Sequence, residues 1–191
     1  MKEANITKMK RVVFYDNADG KFAARAAFML KYYGHPYVHV LEGGFKKWVK
    51  DGKPVSSDEP ENLSRAYADN EFDYVAKQDM IRSFEEMQGF SESHEAQIID
   101  VRPAAVFEKG SIPSALNIPA FSFFNEDGSI KTKEEVAKIF TTTGVDTSKP
   151  IVFSCQSGVQ ASIGFLAAEY LRSNAQISLY DGSWAEYSKR M

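Results

Sequence analysis

The sequence predicts a parallel α/β protein, and three observations carry that reading. Apolar runs of four or five residues alternate with segments of helical period, the links between them are short and Gly-bearing, and the pattern occurs near both ends of the 191-residue chain. Runs that are apolar throughout, rather than at every second position, are what a parallel sheet buries on both faces. The composition, 43% hydrophobic and 26% charged, is ordinary for a globular chain. A formal charge of −3 offers no polybasic footprint for nucleic acid or an anionic membrane. No stretch approaches the roughly 18 apolar residues of a membrane span.

In chain order, Val12-Val13-Phe14-Tyr15 reads as a strand ending at Asp16. Residues 22–33 follow as a helix with Phe22, Ala26, Met29, Leu30 and Tyr33 on one face and Gly34 as its stop. Tyr37-Val38-His39-Val40-Leu41 is the next strand, closed by Glu42-Gly43-Gly44 and followed by a short helix over 45–49. Residues 53–72 lack periodicity and read as an exposed linker. Met80, Ile81, Phe84 and Met87 mark an amphipathic helix, then strands are expected at 97–101 and 115–119. Thr132 is an N-cap candidate for a helix over 132–140, with Glu134 and Glu135 favouring its positive end. The last strands are 150–153 and 177–180, the latter leading into the turn Asp181-Gly182-Ser183-Trp184.

The stretch Cys155-Gln156-Ser157-Gly158-Val159-Gln160 lies between the strand at 150–153 and a helix with Ile163, Leu166, Ala167, Tyr170 and Leu171 on one face. Cys155 is the chain's single cysteine, which excludes an internal disulfide framework and fits a reducing compartment. At such a junction, loop N–H groups and the positive end of a helix converge, favouring thiolate over thiol and making the sulfur a nucleophile. The plainer alternative is a buried cysteine acting as a small hydrophobe. A Cys-x5-Arg oxyanion clamp is excluded because Ala161 occupies the arginine's place. His35, His39 and His94 lie far apart and form no ligand set, so neither metal nor cofactor is expected.

The two ends of the chain repeat each other. Residues 12–16 align with 151–155, and Leu41-Glu42-Gly43-Gly44-Phe45 aligns with Tyr180-Asp181-Gly182-Ser183-Trp184, both at an offset of 139. Asp16 stands where the second copy has Cys155. The expected organisation is an incomplete, non-catalytic first domain over 1–52, a linker over 53–72 and a catalytic domain over 73–191. Either dimerisation through the open strand edge of the first copy or local disorder of that region is expected in turn.

These residues resemble the tandem rhodanese family of thiosulfate and 3-mercaptopyruvate sulfurtransferases. The resemblance rests on Tyr180-Asp181-Gly182-Ser183-Trp184-x-Glu186-Tyr187, on Cys155-x-Ser157-Gly158-Val159, on Asp100-x-Arg102-Pro103 and on Ile112-Pro113. It implies a three-layer α/β/α rhodanese-like fold and a Cys155 persulfide that carries sulfur from a small anionic donor to a thiol or cyanide. A thioredoxin-like protein is one such thiol. Gln156 to Gln160 would then be the active loop, with main-chain N–H groups around the sulfur, and Ser157 would orient the donor or hold a proton, or would only hydrogen-bond the loop. Asp100 and Arg102 would brace the site or bind substrate, bracing being the favoured role. The chain departs from the family pattern at Val106, where a second arginine is usual, at Gln160 in place of threonine, and at Ser111 and Ser114 in the Ile-Pro element. Those departures keep open a rival expectation, a rhodanese-like binding or regulatory module of low activity. The expected location is cytoplasmic, or mitochondrial if a longer N-terminus exists.

Overall fold

The computed structural model describes residues 6–58, 74–172 and 175–191. Its elements run β1 (Val12–Phe14), α1 (Lys21–Tyr32), β2 (Val38–Val40), α2 (Gly44–Lys50), β3 (Ile81–Arg82), α3 (Phe84–Ser93), β4 (Gln97–Asp100), α4 (Ala104–Phe107), β5 (Leu116–Asn117), α5 (Lys133–Thr142), β6 (Ile151–Ser154), α6 (Ala161–Tyr170), β7 (Ile177–Tyr180) and α7 (Ser183–Arg190). Most of the linker expected over 53–72 lies outside the described residues; positions 53–58 are exposed.

Five strands form one parallel sheet in the order β3-β7-β6-β4-β5. Because side chains alternate across a sheet, each central strand feeds two cores. Ile99, Val101, Ile151, Phe153 and Leu179 pack beneath α5 and α6, against Val136, Phe140, Ile163 and Phe165. Ile98, Val152 and Tyr180 face the other way, against Phe84 and Met87 of α3 and Tyr187 of α7. Helices therefore cover both faces in a three-layer α/β/α sandwich. β1 and β2 form a separate two-stranded parallel sheet, with Val12 opposite Val38. Among the described residues β1 pairs with β2 alone, and Val13 and Tyr15 are exposed beside it.

Three local readings change once the chain is folded. Met80 and Ile81 do not belong to a helix. Met80 ends a 3-10 turn (Gln78–Met80), Ile81 lies in β3, and the helix starts only at Phe84, behind a Ser83–Glu86 capping box. The box satisfies otherwise orphaned N–H groups and so sets the start against the hydrophobic period. Thr132 and Glu135 form the same box ahead of α5. The residues 181–184 expected as a turn instead open α7 at Ser183. Finally, α6 has more than one apolar face. Its outer side meets α1, where the Phe28 and Phe165 rings pack edge to face at 5.0 Å, so Ala161, Ser162, Ile163, Gly164, Phe165, Ala167 and Ala168 are all buried.

Gly164 permits a close approach of α6 to the sheet. A Cβ there would lie 2.4 Å from Cδ1 of Phe153 and 3.0 Å from Val101. Gly164→Ala is therefore expected to destabilise the protein by about 1–3 kcal/mol through overpacking, despite the better helix propensity of alanine. Chemical denaturation would measure this, and an unchanged or raised midpoint would contradict the account.

Candidate active site

Cys155 follows the last residue of β6 and is buried, 1% exposed. The loop after it is held mainly by residues from the β7–α7 junction. The N–H groups of Cys155 and Gly158 both donate to Oγ of Ser183, at 3.1 and 3.0 Å. That hydroxyl donates in turn to the Tyr180 carbonyl at 2.9 Å, and Cys155 Sγ lies 4.0 Å from it. A hydroxyl has one proton and two lone pairs, so Ser183 is fully committed. The first N–H groups of α7 complete the clasp: Trp184 donates to the Cys155 carbonyl and Ala185 to the Gln156 carbonyl, both at 3.0 Å. Ser183 is 0% exposed and takes a left-handed φ of 52°, an unfavourable conformation for a residue with a Cβ.

Gly158 also needs its missing side chain. Its φ is 80°, and a Cβ would meet Oδ1 and the carbonyl oxygen of Asp181 at 2.5 and 2.8 Å. Gln156 and Ser157 are exposed, while Val159 and Gln160 are partly buried. The N–H groups of Gln156, Ser157, Val159 and Gln160 have no hydrogen-bond partner among the described residues. They are donors that an anion at the loop could use. Gly158 is the exception to the expected cradle, since its N–H is already given to Ser183.

Asp100 and Arg102 form a closed unit. Arg102 Nε reaches both Asp100 carboxylate oxygens at 3.0 and 2.9 Å, and Nη2 lies 2.6 Å from Oδ2 and 2.7 Å from the Gly110 carbonyl. Both side chains are 2% exposed, and the guanidinium sits 5.1 Å from the centre of the Trp184 ring. Burying a charge pair is costly unless further hydrogen bonds support it; here the Arg102 main-chain N–H also donates to Asp100 Oδ1 at 2.9 Å, and Asn117 ties the main chain of the two residues together through the Asp100 and Arg102 carbonyls. This geometry suits bracing the sheet end against α7 better than contact with a substrate. Val106 is on the surface, 40% exposed. Ser114 takes a φ of 64°, the left-handed conformation that glycine adopts most easily.

The first unit shows what the same junction does without a cysteine. Asp16, opposite Cys155 in the repeat, accepts N–H bonds from Ala18, Gly20, Phe22 and Ala23 at 2.9–3.1 Å. Burial alone would raise its carboxyl pKa, but the bonds from Ala23, Gly20, Ala18 and Phe22 outweigh it and hold the pKa below the ordinary 3.8. A strand-to-helix loop in this chain thus collects N–H groups around a negative charge. Gly44, opposite Ser183, has a matching φ of 58°, and Phe45 N donates to the Asp16 carbonyl at 3.0 Å as Trp184 does to Cys155.

Sequence reasoning missed Ser183 as part of the site. The available signal was its alignment with Gly44, a serine where the repeat uses a glycine. It also missed Arg25 of α1, whose Nη1 lies 2.6 Å from Asp181 Oδ1. A cavity of about 790 Å³ lies elsewhere, between β2, α2, α6 and residues 121–130, and Cys155 is not among its walls.

Fold and site together define a three-layer parallel α/β protein with a cysteine on a clasped strand-to-helix loop. A rhodanese-like domain model matches residues 1–51 and 83–190, and the chain belongs to the rhodanese-like domain family. It is 38% identical over 190 residues to thiosulfate sulfurtransferase of Gallus gallus, covering 94% of this chain and 64% of the chicken protein. It is 35% identical over 199 residues to thiosulfate sulfurtransferase of Bos taurus, covering 97% of this chain and 65% of that protein. The chain thus spans slightly under two thirds of the length of these two relatives. Among solved structures it matches SseA of Escherichia coli, described as a 3-mercaptopyruvate sulfotransferase of rhodanese fold. That match has a TM-score of 0.82 at 33% identity, over 95% of this chain and 70% of SseA.

Two outcomes follow from this geometry. Ser183→Ala would leave the Cys155 and Gly158 N–H groups buried without an acceptor, at a cost of about 1–3 kcal/mol by urea denaturation; a stability within 0.5 kcal/mol of wild type would refute the clasp. Asp16 has its pKa depressed on folding, so its contribution is present above about pH 3.8 and is lost as pH falls through the folded value. Asp16→Asn is expected to lower stability at pH 7 by about 1–2 kcal/mol and to flatten the acid limb below pH 4. A parallel limb in the variant would count against the assignment.

Proposed function

We propose that the chain is a sulfurtransferase whose nucleophile is Cys155. The Cys155 thiolate attacks the outer sulfur of thiosulfate, a new S–S bond forms, and the donor's S–S bond breaks with its electron pair leaving on sulfite. With 3-mercaptopyruvate, the C–S bond breaks instead and the carbon fragment takes up a proton to become pyruvate. The outer persulfide sulfur carries the negative charge until a thiolate or cyanide attacks it, giving a new persulfide or thiocyanate and restoring the Cys155 thiolate.

The observation that carries this reading is the clasped loop, where the N–H groups of Gln156, Ser157, Val159 and Gln160, beside a buried sulfur, have no partner among the described residues. Such donors stabilise charge on the sulfur before and after transfer without reorganising. The carboxylate already held at the matching place in the first unit supports it, as do relatives named for this chemistry. Val106 in place of a second arginine favours the alternative of a low-activity binding module, because a lost charge-assisted contact costs about 1.5–3 kcal/mol, roughly 10- to 150-fold in donor affinity.

Incubation with thiosulfate or 3-mercaptopyruvate followed by cyanolysis separates the two readings. Transfer predicts thiocyanate and a +32 Da adduct on wild type, and neither on Cys155→Ser. Equal sulfur on both proteins, or none on wild type, would favour the binding module. If Val106 marks the site of a missing donor contact, Val106→Arg should raise kcat/KM for thiosulfate by about tenfold or more. No gain in the arginine variant would remove that position from the donor site.

A further inference from the structure

We propose that Arg25, on α1 of the first unit, is a positioning residue that sets the charge of the loop carrying Cys155 by neutralising the Asp181 carboxylate against it. The proposal rests on Cys155 being the reacting sulfur. It assigns the non-catalytic unit a part in the second unit's chemistry.

Asp181 lies where the chain leaves β7 and turns into α7, and its Oδ1 and main-chain carbonyl oxygen stand 2.5 and 2.8 Å from where a Cβ at position 158 would be. A carboxylate there opposes both arrival of an anionic donor and negative charge on a sulfur carried by that loop. Arg25 meets it directly. Nη1 lies 2.6 Å from Asp181 Oδ1 and 3.5 Å from the Gly158 carbonyl, touching the loop as well as the acid. The guanidinium centre is 5.7 Å from the Phe28 ring centroid, and Phe28 is itself buried against Phe165, so the arginine is held from behind by the contact between units. Nε and Nη2 have no hydrogen-bond partner among the described residues. The side chains are 24% and 47% exposed, so solvent screens the pair. The expected effect is accordingly severalfold rather than orders of magnitude.

The test compares wild type, Arg25→Ala, Asp181→Asn and the double variant. The first readout is the rate of Cys155 alkylation by iodoacetate, an anion, divided by that by iodoacetamide, a neutral reagent of similar shape. The ratio cancels much of any change in access and reports the local field. Arg25→Ala is expected to lower the ratio about threefold, and Asp181→Asn to raise it by a similar factor. The double variant should return within about twofold of wild type, because the uncompensated carboxylate is gone. The second readout is thiosulfate turnover, where Arg25→Ala should raise KM by a like factor with kcat nearly unchanged. A ratio unmoved in Arg25→Ala, or a double variant as low as the single, would overturn the proposal, since a purely structural role predicts no recovery when the acid is removed. If Arg25→Ala does not fold, Asp181→Asn decides alone, and an unchanged or lowered ratio overturns it. The alkylation ratio needs no turnover, so a wild type that makes no thiocyanate would sink the sulfurtransferase reading and leave this one to be judged on the ratio.

Discussion

A single hydroxyl holds the loop after Cys155 in shape. Ser183 Oγ takes N–H groups from Cys155 and Gly158 and gives its proton to Tyr180. All its hydrogen-bonding capacity is used inside the protein, at a position with no solvent exposure. The alternative, two buried N–H groups without acceptors, would be costly enough to reshape the loop. With the hydroxyl in place, the Cys155 and Gln156 carbonyls turn towards the start of α7, and the N–H groups of Gln156, Ser157, Val159 and Gln160 have no partner among the described residues. The left-handed φ of Ser183 is the strain accepted for this arrangement.

The two halves of the chain give different answers to one structural problem. Each has a parallel strand running into a loop and then a helix, and each must deal with N–H groups at the helix start. The first half fills them with its own carboxylate, Asp16, and has Gly44 where the hydroxyl would be. The second half supplies a hydroxyl from below, keeps the main-chain donors open, and places sulfur where the first half has the carboxyl-bearing residue. At one junction an internal carboxylate takes the N–H groups; at the other, those of Gln156, Ser157, Val159 and Gln160 have no partner among the described residues.

Packing explains why the halves act as neighbours. α6 rises directly from the Cys155 loop and is buried on both sides, by the sheet through Gly164 and by α1 through the Phe28–Phe165 contact. Lys31–Glu169 and Lys47–Asp127 add ion pairs along the same seam at 3.2 and 3.3 Å. Surface pairs of this kind contribute little by themselves; the Phe28–Phe165 contact and the burial of Ala24 and Phe28 of α1 in the main core contribute more. On the other side of the sheet, the buried Asp100–Arg102 pair ties the end of β4 to Gly110 and Trp184. Its worth lies in geometry more than in stability, since desolvation cancels much of the charge attraction.

Much of this was legible in the chain because it depends on local or periodic signals. Apolar runs located β1, β2, β4, β6 and β7 closely, and the helical period located α1, α5 and α6. A lone cysteine between a strand and a helix marked the loop, and the 139-residue offset aligned Asp16 with Cys155. What the period could not resolve was the split at Met80 and Ile81, where a capping serine rather than the apolar spacing sets the helix start. Nor could it show a second buried face on α6, because that face exists only once α1 lies against it. The sequence by itself determined the class of fold, the cysteine and its loop, since strand, turn and helix preferences act over a few neighbouring residues. Only the tertiary structure decided that Ser183, 28 residues on, clasps that loop, and that Arg25, 133 residues back from Gly158, lies against it. Hydrogen bonds and charge pairs between such distant segments leave no periodic trace in the chain, and they form only after the sheet has brought the segments together.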